Sequence, residues 1–130
     1  MKKRIYFLSI LIIGMSCGSS QFRIEFDRTY KSVRTCDKNQ MIKNITISEQ
    51  GSNDIGFAFY LEEEEKGNSI IYLEKENVGY KTSEKSLFKF KPNKKYILST
   101  TYLDSRAEII LFTNQYAEVD SVVNNYSCTK

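Results

Sequence analysis

From Phe22 onward the apolar side chains fall at every second position in short runs, and nowhere does a helical spacing of three and four persist. A period of two sends alternate side chains to opposite faces of an extended chain, so each run reads as a β-strand with one buried and one wet side. The clearest example is 87–102. Phe88 and Phe90 alternate with Lys89 and Lys91; Pro92, which has no N–H for a ladder, and Asn93, which tolerates a turn, break the run; Tyr96 is the first large residue of the next one. The stretch predicts two strands meeting at a corner.

The rest of the chain follows the same pattern. Phe22, Ile24 and Phe26 alternate with Arg23, Glu25 and Asp27 as a first strand, and Tyr30 and Val33 are the only continuation of it that the polar stretch 27–40 offers. A second strand runs from Met41 to Ser48 around Ile45 and Ile47. A third runs from Ile55 to Leu61 around Phe57 and Phe59, with Gly56 as a bulge. Shorter strands are expected over Ser69 to Glu74 and Val78 to Lys81. Glu108 to Thr113 is apolar on both faces, which predicts a strand covered on both sides. Tyr116 to Tyr126, with Val119, Val122 and Val123, supplies the last. About seven or eight short strands separated by turn residues predict an all-β antiparallel sandwich, with a small antiparallel barrel as the alternative.

Phe90-x-Pro92-x-x-x-Tyr96 resembles the Leu-x-Pro-Gly-x-x-Tyr corner of fibronectin type III and related immunoglobulin-like domains. The resemblance implies an immunoglobulin-like sandwich in which the Tyr96 ring lies in the core and its hydroxyl bonds to backbone a few residues upstream. Phe90 stands where the pattern has leucine and Asn93 where it has glycine, and the chain lacks the tryptophan such domains usually bury. An ordinary Pro-Asn hairpin in another all-β fold is the alternative. In the immunoglobulin-like order the second and third strands are B and C, and Glu108 to Thr113 is G. Loops 49–54 and 104–107 then share one end with the start of the first strand. Glu62, Glu63, Glu64, Glu65, Lys94 and Lys95 are brought to the other end as the expected partner-facing residues.

The N-terminus carries an address. Lys2, Lys3 and Arg4 precede an apolar run from Ile5 to Met15, too short to span a bilayer and of signal-peptide form. Gly14-Met15-Ser16-Cys17 resembles the lipobox of bacterial lipoproteins, although Gly14 departs from the usual leucine. That resemblance implies cleavage after residue 16, a lipid on Cys17, a tether to Gln21 and one domain over 22–130. The expected location is the bacterial cell envelope, with the outer membrane as the expected membrane and the protein lipid-anchored on the periplasmic side of a membrane or at the cell surface. Ordinary cleavage near Gly18 or Ser20, releasing a soluble secreted protein, is the rival reading.

Removing sixteen residues from 130 leaves 114, enough for a single two-layer core. Lys2, Lys3 and Arg4 leave with the leader, so the nineteen basic residues fall to sixteen, matching the sixteen acids. A mature chain of no net charge lacks the footprint of a nucleic-acid binder. The lysines at 85, 89, 91, 94 and 95 alternate with aromatics that the strand pattern buries, so they read as a wet face. With Cys17 lipidated, Cys36 and Cys128 remain as an expected disulfide in an oxidising compartment.

Catalytic chemistry finds little footing. The chain has no histidine, which removes the Ser-His-Asp triad, the Cys-His pair and the histidine zinc site. Asp104, Glu108, Glu118 and Asp120 could pair as carboxylates, but their spacing singles none of them out. Four consecutive glutamates on an extended chain point to alternate sides and converge poorly on calcium. No cofactor or metal is expected. Asp120-Ser121-Val122 resembles a short O-glycan acceptor of some bacterial envelope proteins, on three residues only. Nine tyrosines suit protein or glycan contact, and suit strands equally by shape. The expected function is a lipid-anchored, non-catalytic envelope module that binds a protein or glycan and meets the membrane through its lipid alone. The alternative is an inhibitor or immunity lipoprotein that blocks an enzyme such as a lysozyme or toxin.

Overall fold

The computed structural model describes residues 22–51 and 56–128; the expected leader, Cys17, the tether and part of the 49–54 loop lie outside them. The described residues form nine strands and no helix: β1 (Ile24–Asp27), β2 (Ser32–Thr35), β3 (Asn44–Glu49), β4 (Phe57–Leu61), β5 (Ile70–Tyr72), β6 (Tyr80–Thr82), β7 (Lys95–Tyr102), β8 (Ser105–Thr113) and β9 (Val119–Val123). They make two antiparallel sheets, one of three strands in the order β1-β2-β5 and one of six in the order β6-β4-β3-β7-β8-β9, neither closed into a barrel. The all-β sandwich expected from the alternation is the architecture found.

One core lies between the sheets. Ile45, Ile47, Phe57, Phe59, Leu98, Ile109 and Leu111 on the large sheet meet Ile24, Phe26, Val33 and Ile71 on the small one. The register explains their convergence: Ile47 pairs with Phe57 on one side and Leu98 on the other, and Leu98 pairs with Ile109, so the buried residues of neighbouring strands share a face. Cys36 and Cys128 are bonded with their Cα atoms 5.0 Å apart. The bridge fastens the tail after β9 along the free edge of β1, where the Asn125 side-chain oxygen accepts the Phe26 N–H at 2.7 Å.

The structure corrects four details. First, the predicted strand over 87–91 forms no ladder with the described residues: Phe90 is buried and Phe88 half-buried while Lys89 and Lys91 are exposed, but none of the nine strands pairs with it. Side chains take the place of that strand, for the Phe90 N–H goes to the Glu74 carboxylate at 2.9 Å and the Lys91 N–H to the Tyr96 hydroxyl at 2.8 Å. Second, β2 arises in the stretch read as polar. It alternates poorly by composition, yet it is the central strand of its sheet, paired with β1 and β5. Third, β8 is covered on one face only. Ile110 and Phe112 stay part-exposed beside Ile97 and Val123, because the three-stranded sheet packs on one side of the large sheet and no layer of described residues lies on the other.

Fourth, β3 and β4 pair directly in one sheet, whereas strands B and C of the immunoglobulin-like order lie in opposite sheets. A short connection favours pairing between consecutive strands. The strand ends change accordingly. Glu49 pairs with Tyr96, so the β3–β4 connection shares an end with Pro92–Lys95; Tyr102 pairs with Ser105, so the β7–β8 turn lies at the other end. Glu62 follows Leu61 at that same other end, beyond Asn44. Phe22, the first described residue, stacks on Tyr102 with ring centroids 5.5 Å apart, so the chain enters there too.

Candidate functional site

The corner is built from the small number of polar groups its backbone requires. Tyr96 is buried at the start of β7, and its hydroxyl accepts the N–H of Lys91, five residues upstream, as the corner motif implies. Asn93 adopts φ +54°, a left-handed conformation that glycine takes freely and asparagine tolerates. The Thr113 hydroxyl accepts the Lys94 N–H at 2.9 Å and donates to the Lys91 carbonyl at 2.6 Å, buttoning the turn to the end of β8. Replacing Tyr96 with phenylalanine is expected to lower stability by about 1 kcal/mol, the usual worth of one such bond, read from urea unfolding.

Burial pushes the Tyr96 phenol above its ordinary value, against a lesser opposing pull from the Lys91 N–H; burial does the same at Tyr80. A phenol held neutral in the folded chain stabilises it fully below about pH 10, where the unfolded phenol is neutral as well. That contribution is lost as the pH rises through the folded value. Unfolding at a series of alkaline pH values is expected to show this loss, and Y96F to reduce it.

A cleft of about 310 Å³ opens beside the corner, its floor made by Ile47, Phe57 and Tyr96 and its wall by Leu87 and Phe88. Rings pack closely there: Phe88 lies 5.6 Å from Phe57 and 5.7 Å from Tyr96, centroid to centroid. Gly56 borders the mouth at φ +94°, and a side chain there would meet the Ile47 carbonyl oxygen at 2.5 Å. Glu49, Lys89 and Lys91 stand around the opening. Glu49 is held by Lys94 at 3.0 Å and Lys91 at 3.7 Å. The hydrogen bond from Lys94 depresses its pKa most; partial desolvation opposes this, and the charges of Lys94 and Lys91 add to the depression. A carboxylate so depressed adds stability above its unfolded value that disappears as the pH falls through the folded one. E49Q is therefore expected to flatten the acid side of the stability profile below about pH 4. A cleft of this size, with aromatic and aliphatic side chains mixed with charged ones, can seat one side chain or a group of similar bulk.

Two tyrosines project from neighbouring turns at this end. Tyr30, between β1 and β2, is 64 % exposed and Tyr116, between β8 and β9, 72 %. Each turn is set by an acceptor side chain: Asp27 takes the N–H groups of Thr29 and Tyr30, and Asn114 those of Tyr116 and Glu118. A polar recess lined by Arg28, Lys31, Asn114 and Glu118 joins the two turns. Rigid, exposed tyrosines contribute large amphipathic contact area at a small loss of side-chain entropy.

The expected partner-facing residues do not form one surface. Glu62, Glu63, Glu64 and Glu65 are exposed in the turn after β4, at the end away from the corner. Lys94 and Lys95 are at the corner, Lys94 tied to Glu49 and Lys95 with its ammonium 5.7 Å from the Phe112 ring. Asp104 lies in the β7–β8 turn and Glu108 within β8, while Glu118, just before β9, and Asp120, on it, border the recess at the other end, so the four acids do not face one cleft. Ser121 is exposed on β9. Sequence reasoning missed Glu49, Glu74 and Thr113 at the corner and took Tyr30 for strand; the Asp27 and Asn114 turn signals were the available clue to both exposed tyrosines. The chain matches no family model, and comparison with characterised proteins and with solved structures finds no significant match.

Proposed function

We propose that this protein is a non-catalytic binding module of the bacterial cell envelope, anchored through lipid on Cys17 and meeting a protein or glycan with its corner end. The observation that carries the reading is the contrast between the ends. Tyr30, Tyr116 and the aromatic cleft lie at one, and the chain enters beside Tyr102 at the other. Four tether residues reach at most about 14 Å. A lipid on Cys17 therefore keeps the entry end close to the membrane and leaves the corner end outermost. The disulfide agrees with a domain that folds after export. The likeness to immunoglobulin-like domains is confined to the corner itself.

Capture from envelope extract on the immobilised lipidated protein tests this. The Tyr30→Ala, Tyr116→Ala double variant is expected to hold its partner roughly tenfold or more weakly, as loss of aromatic anchors does. Exchange of Glu62–Glu65 for glutamine is expected to leave capture unchanged. Equal capture by the tyrosine variant and the wild type would overturn the assignment of the surface. Loss of a captured hydrolase's or toxin's activity on binding would make the module an inhibitor.

A further inference from the structure

The end opposite the corner presents two aliphatic side chains with little packing. Leu103, at the tip of the β7–β8 turn, is 80 % exposed, and Val78, ahead of β6, is 88 % exposed. Leu103 also holds φ +54°, a conformation that glycine takes freely and leucine only under strain. This turn thus places a leucine where both the backbone and the solvent favour something else.

Both tips lie where the chain enters. Tyr102, the residue before Leu103, stacks on Phe22, and Phe22 is five residues after Cys17, a span of at most about 18 Å. Val78 belongs to the same end because its neighbour Gly79 accepts the Glu62 N–H at 2.9 Å and Tyr80 pairs with Leu61. Three strand spacings separate β6 from β7, so the tips stand roughly 14 Å apart across the end. The acidic turn Glu62–Glu65 follows β4 between them, and Asp104 adjoins Leu103.

We propose that Leu103 and Val78 are shallow bilayer contacts that seat the entry end of the domain on a membrane surface of zwitterionic headgroups. This rests on the Cys17 anchor proposed above. An aliphatic side chain gains by moving from water to the boundary between headgroups and acyl chains. With the lipid already inserted, the local concentration of membrane is high, so two weak contacts suffice. Together with the lipid they give three points of support and hold the corner end outward. Glu62–Glu65 and Asp104 meet the ammonium groups of a zwitterionic surface and oppose a strongly anionic one.

The chain has no tryptophan, so a single introduced indole is a clean reporter. Lipidated L103W, V78W and, from the opposite end, Y116W are placed on phosphatidylethanolamine–phosphatidylcholine vesicles with brominated acyl chains. The indole emission of L103W and V78W is expected to shift to the blue and lose most of its intensity, that of Y116W to stay unquenched, and added anionic lipid to weaken the quenching. L103G, which relieves the strained turn, is expected to raise the urea midpoint while reducing quenching in the V78W background. Unquenched emission from L103W and V78W on vesicle-bound protein would overturn the contacts and spare the anchor, as would quenching of all three indoles alike. Mature protein without lipid, or not bound to vesicles, would overturn the anchor and the contacts with it.

Discussion

Exchange of both Cys36 and Cys128 for alanine is expected to lower the unfolding free energy by about 4 kcal/mol, the loop-entropy value for so long a closed loop. The bond joins residues 92 apart in sequence. Domains of this size are stable by only about 5–15 kcal/mol in all, so the double variant is left marginal or unfolded at physiological temperature. Its local role adds to the chain-entropy effect. The tail bridges the two sheets, since it leaves β9 in the large sheet and lies along β1 in the small one, with the Arg23 guanidinium 4.5 Å from the Tyr126 ring. Urea unfolding of the oxidised, reduced and double-variant proteins measures the loss. A change below about 1 kcal/mol would mean that the tail holds β1 without its cross-link.

Phe90→Ala is expected to destabilise by about 3–5 kcal/mol, as truncation of a buried phenylalanine does. Phe90 touches both layers: its ring is 6.5 Å from Phe26 on β1 and 5.2 Å from Tyr96 on β7, edge-on in each case. Removing it opens a cavity between the two layers. Phe90→Leu keeps much of the apolar volume, so its loss is expected to be clearly smaller. Equal losses for the two variants would show that the site cannot collapse around any smaller side chain. Chemical denaturation of each variant at one pH decides between these outcomes.

Much of the architecture is legible in the amino-acid sequence alone. Alternating residues in β1, β3, β4 and β7 located those strands to within a few positions, because a strand with one buried face writes its period directly into the chain. The corner was legible for a related reason: Pro92 and Asn93 restrict the backbone locally, and the buried Tyr96 hydroxyl must find a partner nearby. The cysteine pairing was readable by elimination from the expectation that Cys17 carries a lipid. β2 was not readable. A four-residue strand with Ser32, Arg34 and Thr35 looks polar, and only its position between β1 and β5 buries it.

Residues 87–91 show the limit from the other side. Their alternation is that of a strand and their burial agrees, but alternation reports which side chains face inward and says nothing about which backbone lies alongside. The missing hydrogen bonds come from side chains instead, from Glu74 sixteen residues before Phe90 and from Tyr96 five residues after Lys91. The candidate surface depended on the same non-local information. By itself the sequence determined the class of fold, the sulfur bridge and the corner, all set by local backbone preference or by pairwise chemistry. Only the tertiary structure decided that β3 and β4 pair in one sheet, that Glu62–Glu65 and Lys94 lie at opposite ends, and that the turns carrying Tyr30 and Tyr116 share one end. Strand order is a property of long-range pairing, whose energy depends on contacts between segments distant in the chain, and a two-residue period carries no record of them.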